Sequence, residues 1–406
     1  MSDTTNSHDH QPDQQRDQHA NGPRGPLDGL VVADFSRVLA GPYATMLLAD
    51  MGATVIKVEG PGGDDTRHWM PPTRDEVSTY YLSINRNKRS ITLDLKDPDD
   101  AAVARRLADR ADVVIENFKP GGLDKYQLDY DSVAASNPKV IYTSISGFGT
   151  GGGAHLPGYD LMVQAMSGLM SLTGSPDGPP YRAGISVFDV MTGMHALIGT
   201  LAALNERHQS GRGQHIEVNL LSSALSGLVN HTGAYAAAGA VPHRMGNAHP
   251  SLFPYEPLET ADGEMVIIAG NDRQFAALAK VLGRPELADD PRYATVADRT
   301  ENRDALKPVL EALLKEHTRA EWFDLLTGAG LPAGPINTVQ EGVEFAASLG
   351  LEPVVEVGTG TTAVPLVRNP IGFSRSSLRY DLPPPTLGAD SDHVRSWIND
   401  NTGEFA

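Results

Sequence analysis

Cysteine is missing from all 406 residues. That single absence removes disulfides, Cys-ligated zinc, iron–sulfur clusters and a thiol nucleophile together. Covalent chemistry on a side chain must then run through oxygen or nitrogen. Positive charge is scarce: 33 Lys and Arg stand against 51 Asp and Glu, a net −18. This balance argues against a nucleic-acid protein with a general basic surface, and an anionic ligand needs a local cationic pocket. Long apolar runs are lacking as well. No stretch approaches the roughly 20 residues that span a bilayer. The most apolar, Val190–Leu204, is broken by Thr192, Gly193 and His195 and predicts a buried helix. The opening 1–26 has neither the apolar core of a signal peptide nor the Arg/Ser bias of a transit peptide. It predicts a disordered polar tail in which His8, His10 and His19 are at best weak metal ligands. The expected location is the cytoplasm, with no membrane and no nucleic-acid partner. No GxxxxGK[ST], GxSxG or HExxH occurs, so the P-loop and the common hydrolase signatures are absent.

What is present reads as a globular chain. Hydrophobics make 40% and charged residues 21%, and the length suggests two or three domains at about 150 residues each. Strand-like runs at Val31–Phe35, Ala53–Glu59, Ser90–Leu95, Asp112–Glu116, Lys139–Ser146 and Gln214–Leu220 alternate with helical patterns such as Asp97–Ala111. Such alternation predicts an α/β fold: a mainly parallel, nucleotide-fold-like sheet with helices on both faces. Gly41-Pro42 opens the first helix and Gly52 ends it. After about residue 225 the rhythm changes. Glu264–Ala269 reads as a strand and Asp272–Leu282, Asn302–His317 and Glu321–Gly328 as helices, a smaller α+β unit. The Pro-rich end carries short strand-like pieces at Ala363–Val367 and Ile371–Ser374. The expected division is a 1–26 tail, a large domain over 27–222, a small domain over 223–330, and 331–406 returning to the large domain. Gly147-Phe-Gly149-Thr-Gly-Gly152 matches GxGxxG but leads into loop rather than helix, so it argues against NAD.

Two constellations carry chemistry. Cations gather at strand ends: Asn85-Arg86-Asn87-Lys88-Arg89, then Lys96, Lys119 and Lys125. They form either a solvated run or a seat for phosphates. Beside them Ile115-Glu116-Asn117-Phe118-Lys119-Pro-Gly121 offers an amide, an aromatic face and a glycine turn to an adenine-bearing ligand. The second constellation is a pair of acids, Asp160 and Asp189, each at a predicted helix start. An isolated Asp there is ordinarily an N-cap. The same placement keeps a carboxylate ionised, and an ionised carboxylate attacks an acyl carbon without a general base.

These residues resemble a known family. Asp34-Phe-Ser-Arg-Val-Leu-Ala-Gly-Pro42, Leu48-Ala-Asp-Met-Gly-Ala-Thr-Val-Ile-Lys-Val-Glu59 and Asn85-Arg-Asn-Lys-Arg-Ser-Ile-Thr-Leu-Asp-Leu95 look like the class III CoA-transferases, the CaiB/BaiF group. So do Glu116–Gly121, Ser146–Gly149, Thr173–Pro180 and Gly211–Gln214, and the likeness runs from about Pro26 to about Leu382. It implies an interlocked-ring homodimer with a discontinuous large domain, and coenzyme A or acyl-CoA as substrate, with neither metal nor NAD. By residue-for-residue match Asp189 is the catalytic aspartate, and Tyr159 and Asp160 line the acyl site. Gly246, Asn247 and His249 form the substrate loop. CoA falls to Val38, Leu39, Ala40, Leu93, Asp94, Leu95, Lys96, Asn117, Phe118, Lys119 and Lys125. The related α-methylacyl-CoA racemases carry Gly-His-Asp where this chain has Gly158-Tyr159-Asp160. Tyrosine, with an ordinary pKa near 10, shuttles protons poorly at neutral pH, so racemisation is the alternative and not the expectation.

The resemblance implies an acyl-CoA donor, a carboxylic-acid acceptor, and aspartyl anhydride and aspartyl-CoA thioester intermediates. Asn219–Ser223, Gly246–Ser251 and Gly270–Phe275 look most like the branch containing succinate–hydroxymethylglutarate CoA-transferase, which suggests succinyl-CoA and a dicarboxylate. Formyl-CoA:oxalate and carnitine transfer stay open. Arg182, Arg244, His249 and Arg273 are the candidates for a distal carboxylate. A non-catalytic CoA-binding protein is a further alternative, because fold alone does not establish activity.

Overall fold

The computed structural model describes residues 25–400 and Phe405. The predicted tail, His8, His10 and His19 included, lies outside the described residues except for Gly25 and Pro26. Gly25 is buried against the Met51–Gly52 turn.

The described residues form two compact units: those within Met1–Ala154, Thr192–Val218 and Val355–Ala406 make one, His155–Met191 and Asn219–Val354 the other. The sequence expectation put 155–191 with the large domain and ended the small one at 330. The contacts group both 155–191 and 331–354 with the second unit. Hydropathy along the chain does not show which long-range contacts each segment makes.

In the first unit the strands are β1 (Val31–Asp34), β2 (Thr54–Glu59), β3 (Lys88–Thr92), β4 (Val113–Glu116), β5 (Ile141–Ser146) and β6 (Gln214–Asn219). They lie in the order β3-β2-β1-β4-β5-β6, a doubly wound sheet. The pairings β3–β2, β2–β1, β1–β4 and β4–β5 are all parallel. Val32, Val55, Ile56, Ile91, Val113, Val114 and Ile115 are fully buried or nearly so, as strands covered on both faces must be. Helix α1 (Ala40–Asp50) follows β1. Helix α2 (Pro98–Arg110) starts with Asp97 accepting from the Asp99 and Asp100 amides and with proline in the first turn. The C-terminal segment closes the β3 edge: Asp390 accepts from Ser90 N at 2.9 Å, and Ser391 Oγ accepts from Thr92 N at 3.2 Å. Trp397 and Ile398 join the sheet core.

The second unit holds α3 (Asp160–Met166), the first residues of α4 (Val187–Ser210) and α5 (Leu220–Gly227). Its antiparallel sheet β7 (Tyr255–Glu259), β8 (Glu264–Ile268) and β9 (Ala333–Pro335) runs in the order β9-β8-β7, over a core that includes Phe275, Leu306, Leu310 and Trp322. The mainly parallel α/β expectation holds. Ser90–Leu95 shifts to Lys88–Thr92, Ile371–Ser374 is not a strand, and the helix predicted over Val190–Leu204 extends to Val187–Ser210. Among the described residues that helix is the one long and apolar enough to cross a membrane by length and composition. It carries Asp189, His195 and Arg207 and buries Phe188, Ala196, Leu197, Ala203 and Leu204.

Candidate active site

Parallel strands place their C-terminal ends on one edge, where ligands of such folds bind. Ser36–Ala40 follows β1, Leu93–Lys96 follows β3, and Asn117–Lys119 follows β4. The predicted CoA residues other than Lys125, which lies in the short helix Asp124–Tyr126, therefore share that edge. β1 lies between β2 and β4, and the loops after β1 and β4 meet directly. Arg37 N donates to Asn117 Oδ1 at 2.9 Å, and Asn117 Nδ2 donates to Arg37 O at 2.8 Å. The Arg37 guanidinium lies 5.7 Å from the Phe118 ring centroid. Leu39, Ala40 and Leu93 are buried, Asp94 and Leu95 are half-buried, and Lys96, Lys119 and Lys125 are exposed. The Lys96 amide donates to Asp94 Oδ1 at 3.0 Å, and the Lys125 ammonium stands over the Tyr126 ring.

The Arg86–Arg89 cluster does not serve as a phosphate seat. It enters β3 at its N-terminal end, opposite the edge where the C-terminal strand ends lie. Arg86 is buried on Asp50, with 2.6 and 2.9 Å contacts. Lys88 is buried on Asp34 Oδ2, Pro42 O and Asn85 Oδ1, and Arg89 pairs with Asp390 at 3.1 Å. A run of cations in sequence does not reveal which of them fold inward onto acids.

In the second unit the two acids come together through the backbone. Asp160 is the first residue of α3 and is buried. Its Oδ2 accepts from Phe188 N at 2.8 Å and Asp189 N at 3.1 Å. Asp160 thus occupies the first amides of α4 and not a cap on its own helix. Gln164, fully buried, completes the staple: its Nε2 donates to Asp160 Oδ1 and, at 3.1 Å, to Ile185 O, while its Oε1 accepts from Ala183 N at 2.8 Å. Gln164 was not singled out from the sequence; its only signal is the i,i+4 spacing from Asp160.

Asp189, the third residue of α4, is partly buried. Burial pushes its carboxyl pKa up, and the neighbouring Asp160 charge pushes it further, to about 7. The expectation of a carboxylate held ionised by its helix start therefore does not hold for Asp189. The amides that would have favoured its charge are bound to Asp160.

Tyr159 exposes 68% of its surface. Gly246, at φ 63, donates from its amide to Gly174 O at 3.0 Å, and Arg244 Nε donates to Ser175 O at 3.2 Å. Gly246 is thus fastened to the 173–181 loop, while Asn247 is exposed. His249 Nδ1 accepts from Ser251 N at 3.1 Å, and its carbonyl accepts from Arg303 at 2.6 Å. Arg182 and Arg273 are exposed.

Residues 27–391 match CoA-transferase family III. The succinate–glutarate CoA-transferase of Agrobacterium fabrum is 47% identical over 385 residues, covering 91% of this chain and 94% of that protein. The mouse succinyl-CoA:glutarate CoA-transferase is 42% identical, over 91% of this chain and 85% of the relative. Among solved structures, a CaiB/BaiF family protein from Brucella suis superposes with a TM-score of 0.84 at 44% identity, covering 93% of this chain and all of that one. A hypothetical protein of Mycobacterium tuberculosis, Rv3272, gives 0.82 at 33% identity, over 92% and 100% of the two chains. The chain belongs to CoA-transferase family III, and it is an enzyme of that class.

Proposed function

We propose that this protein transfers CoA from succinyl-CoA to a dicarboxylic acid, with glutarate the first acceptor to test, through covalent intermediates on Asp189. The acyl groups rest on the relatives from Agrobacterium and mouse, whose names specify succinate or succinyl-CoA and glutarate. The observation that carries the mechanism is Asp189 itself: a partly buried carboxyl with a pKa near 7, at a helix start fixed by Asp160 and Gln164.

In its ionised form Asp189 attacks the thioester carbonyl carbon of succinyl-CoA, and the C–S bond breaks to give an aspartyl–succinyl anhydride and CoA thiolate. The thiolate attacks the aspartyl carbonyl, releasing succinate and leaving an aspartyl-CoA thioester. The acceptor carboxylate displaces thiolate from this thioester to form a second anhydride. Thiolate then attacks the acceptor acyl carbon, and Asp189 returns as a carboxylate. A raised pKa makes the ionised carboxylate more basic and hence a stronger nucleophile, while half of it is protonated near pH 7.

Val38–Ala40, Leu93–Lys96, Asn117–Lys119 and Lys125 take the CoA moiety in this reading. Tyr159, Asp160, Gly246, Asn247 and His249 serve the acyl groups. A homodimer fits the surface of the second unit, where helix Val229–Ala238 is largely apolar yet has no buried residue. The proposed location is the cytoplasm.

The test is incubation with succinyl-CoA and a panel of glutarate, 3-hydroxy-3-methylglutarate, oxalate and carnitine, with new acyl-CoA species read by mass. Exchange with no dicarboxylate sinks the acyl assignment. Hydroxylamine traps a hydroxamate at Asp189 if the intermediates form, and a scaffold that merely binds CoA gives none. Solvent deuterium entering a 2-methylacyl-CoA without an acceptor acid favours the racemase alternative.

A further inference from the structure

The turn after β1 holds a conformation its residues do not prefer. Val38 sits at φ 67, in the left-handed region that a β-branched residue rarely enters. Something must hold it there, because such strain persists only where the surroundings over-determine it. Asp64 supplies the restraint. Its two carboxylate oxygens face the Val38 amide at 3.3 and 3.2 Å. The same carboxylate accepts from Lys57 Nζ at 2.8 Å, Thr66 N at 3.0 Å and Thr66 Oγ1 at 2.8 Å, so it cannot swing away. Lys57 Nζ also donates to Ser36 O at 3.1 Å. Asp34 accepts from Ser36 N at 3.0 Å, and Asn117 grips both backbone groups of Arg37. Three consecutive residues are thus held from beneath and from one side.

The charges beneath the turn are balanced. Lys57 and Asp64 have no exposed side-chain surface. Burial acts to raise the Asp64 pKa, but Lys57 and the Thr66 donors outweigh it and the carboxyl is held low. Breaking a buried pair strands the partner, so this ion pair is a rigid base for the turn and not a surface ornament. None of Asp64, Lys57 or Thr66 was singled out from the sequence.

We infer that Asp64, anchored by Lys57, is a positioning residue: it keeps the Ser36–Ala40 turn in its left-handed form and thereby sets the affinity for the CoA moiety of the substrate. The inference rests on the reading of Val38–Ala40 as a CoA contact.

The experiment is a double-substitution cycle in the full chain, read by KM for succinyl-CoA, by kcat, and by calorimetric titration with free CoA. Strain of this kind sets a scale of about tenfold. Asp64→Asn should therefore raise KM and the CoA dissociation constant about tenfold, with kcat changed less than about threefold. Glycine adopts positive φ without restraint. In a Val38→Gly background the same Asp64→Asn change should cost less than about threefold. Equal losses in the two backgrounds overturn the inference, since a general structural defect does not depend on whether residue 38 needs holding. Should Asp64→Asn fail to fold, Thr66→Val removes one donor to Asp64 and is read in the same cycle, with an expected factor of about three. Titration of the unsubstituted chain with CoA checks the underlying reading alone. No binding there overturns that reading and this inference together, whereas binding with a background-independent loss overturns only the inference.

Discussion

Asp189 and Asp160 share one set of amides, and the sharing is unequal. Asp160 accepts from the first N–H groups of α4, and Asp189 is left beside a negative charge in a partly buried place. Ionisation near 7 in the folded chain, against the ordinary carboxylate range when unfolded, means that the folded state keeps a proton the unfolded chain has lost. Stability therefore falls as pH rises from about 4 to about 7 through this group. Asp189→Asn should abolish CoA transfer. It should also melt about 2–4 °C above the parent near pH 8, with the gap closing near pH 4. Scanning fluorimetry across pH reads this, and a variant no more stable at the alkaline end speaks against the raised pKa. In the active enzyme, kcat/KM should climb with pH to a plateau, with an apparent pKa near 7. Asp160→Asn keeps an oxygen for the two amides and removes the charge, so that limb should move to lower pH. An unmoved limb would mean that burial alone raises Asp189.

At the scale of elements, the loops at the C-terminal edge are placed by the strands that precede them. Ser36–Ala40 and Asn117–Lys119 meet because β1 and β4 are neighbours in the sheet. At the opposite end of β3, Arg86 bonds to Asp50 and to Val367 O, and Asn369 adds a bond to Asp50 at 3.0 Å. This group fastens the C-terminal return to α1 and β3. Arg86→Met should lower stability by about 3–5 kcal/mol, because the buried Asp50 keeps its amide donors but loses its cation. Urea unfolding measures the loss, and CoA titration of the folded fraction should give an unchanged affinity. A weakened CoA affinity at full stability would restore the phosphate-seat reading of Arg86.

Over the whole molecule, the largely apolar helix Val229–Ala238 has no buried residue, and Val229 and Tyr235 are 69% and 64% exposed. Such a surface is ordinarily covered by a partner. Sedimentation should give twice the chain mass, and Val229→Asp with Tyr235→Glu should shift the protein toward monomer. A parent chain that sediments as a monomer removes the homodimer from the proposal.

The strand–helix alternation was legible in the amino-acid order alone, because burial on both faces leaves apolar runs that repeat along the chain. Through family motifs that order also marked Asp189 and the loops at strand ends, since each motif is a short contiguous string. Tertiary structure decided everything that depends on partners far apart in the chain. It turned Arg86 and Lys88 inward onto Asp50 and Asp34, gave the α4 amides to Asp160, and brought Asp64 under Val38. It also grouped 155–191 with 219–354. The physical reason is common to all four: a side chain's charge state and role depend on what packs against it, and periodicity records that a residue is buried without recording beside what.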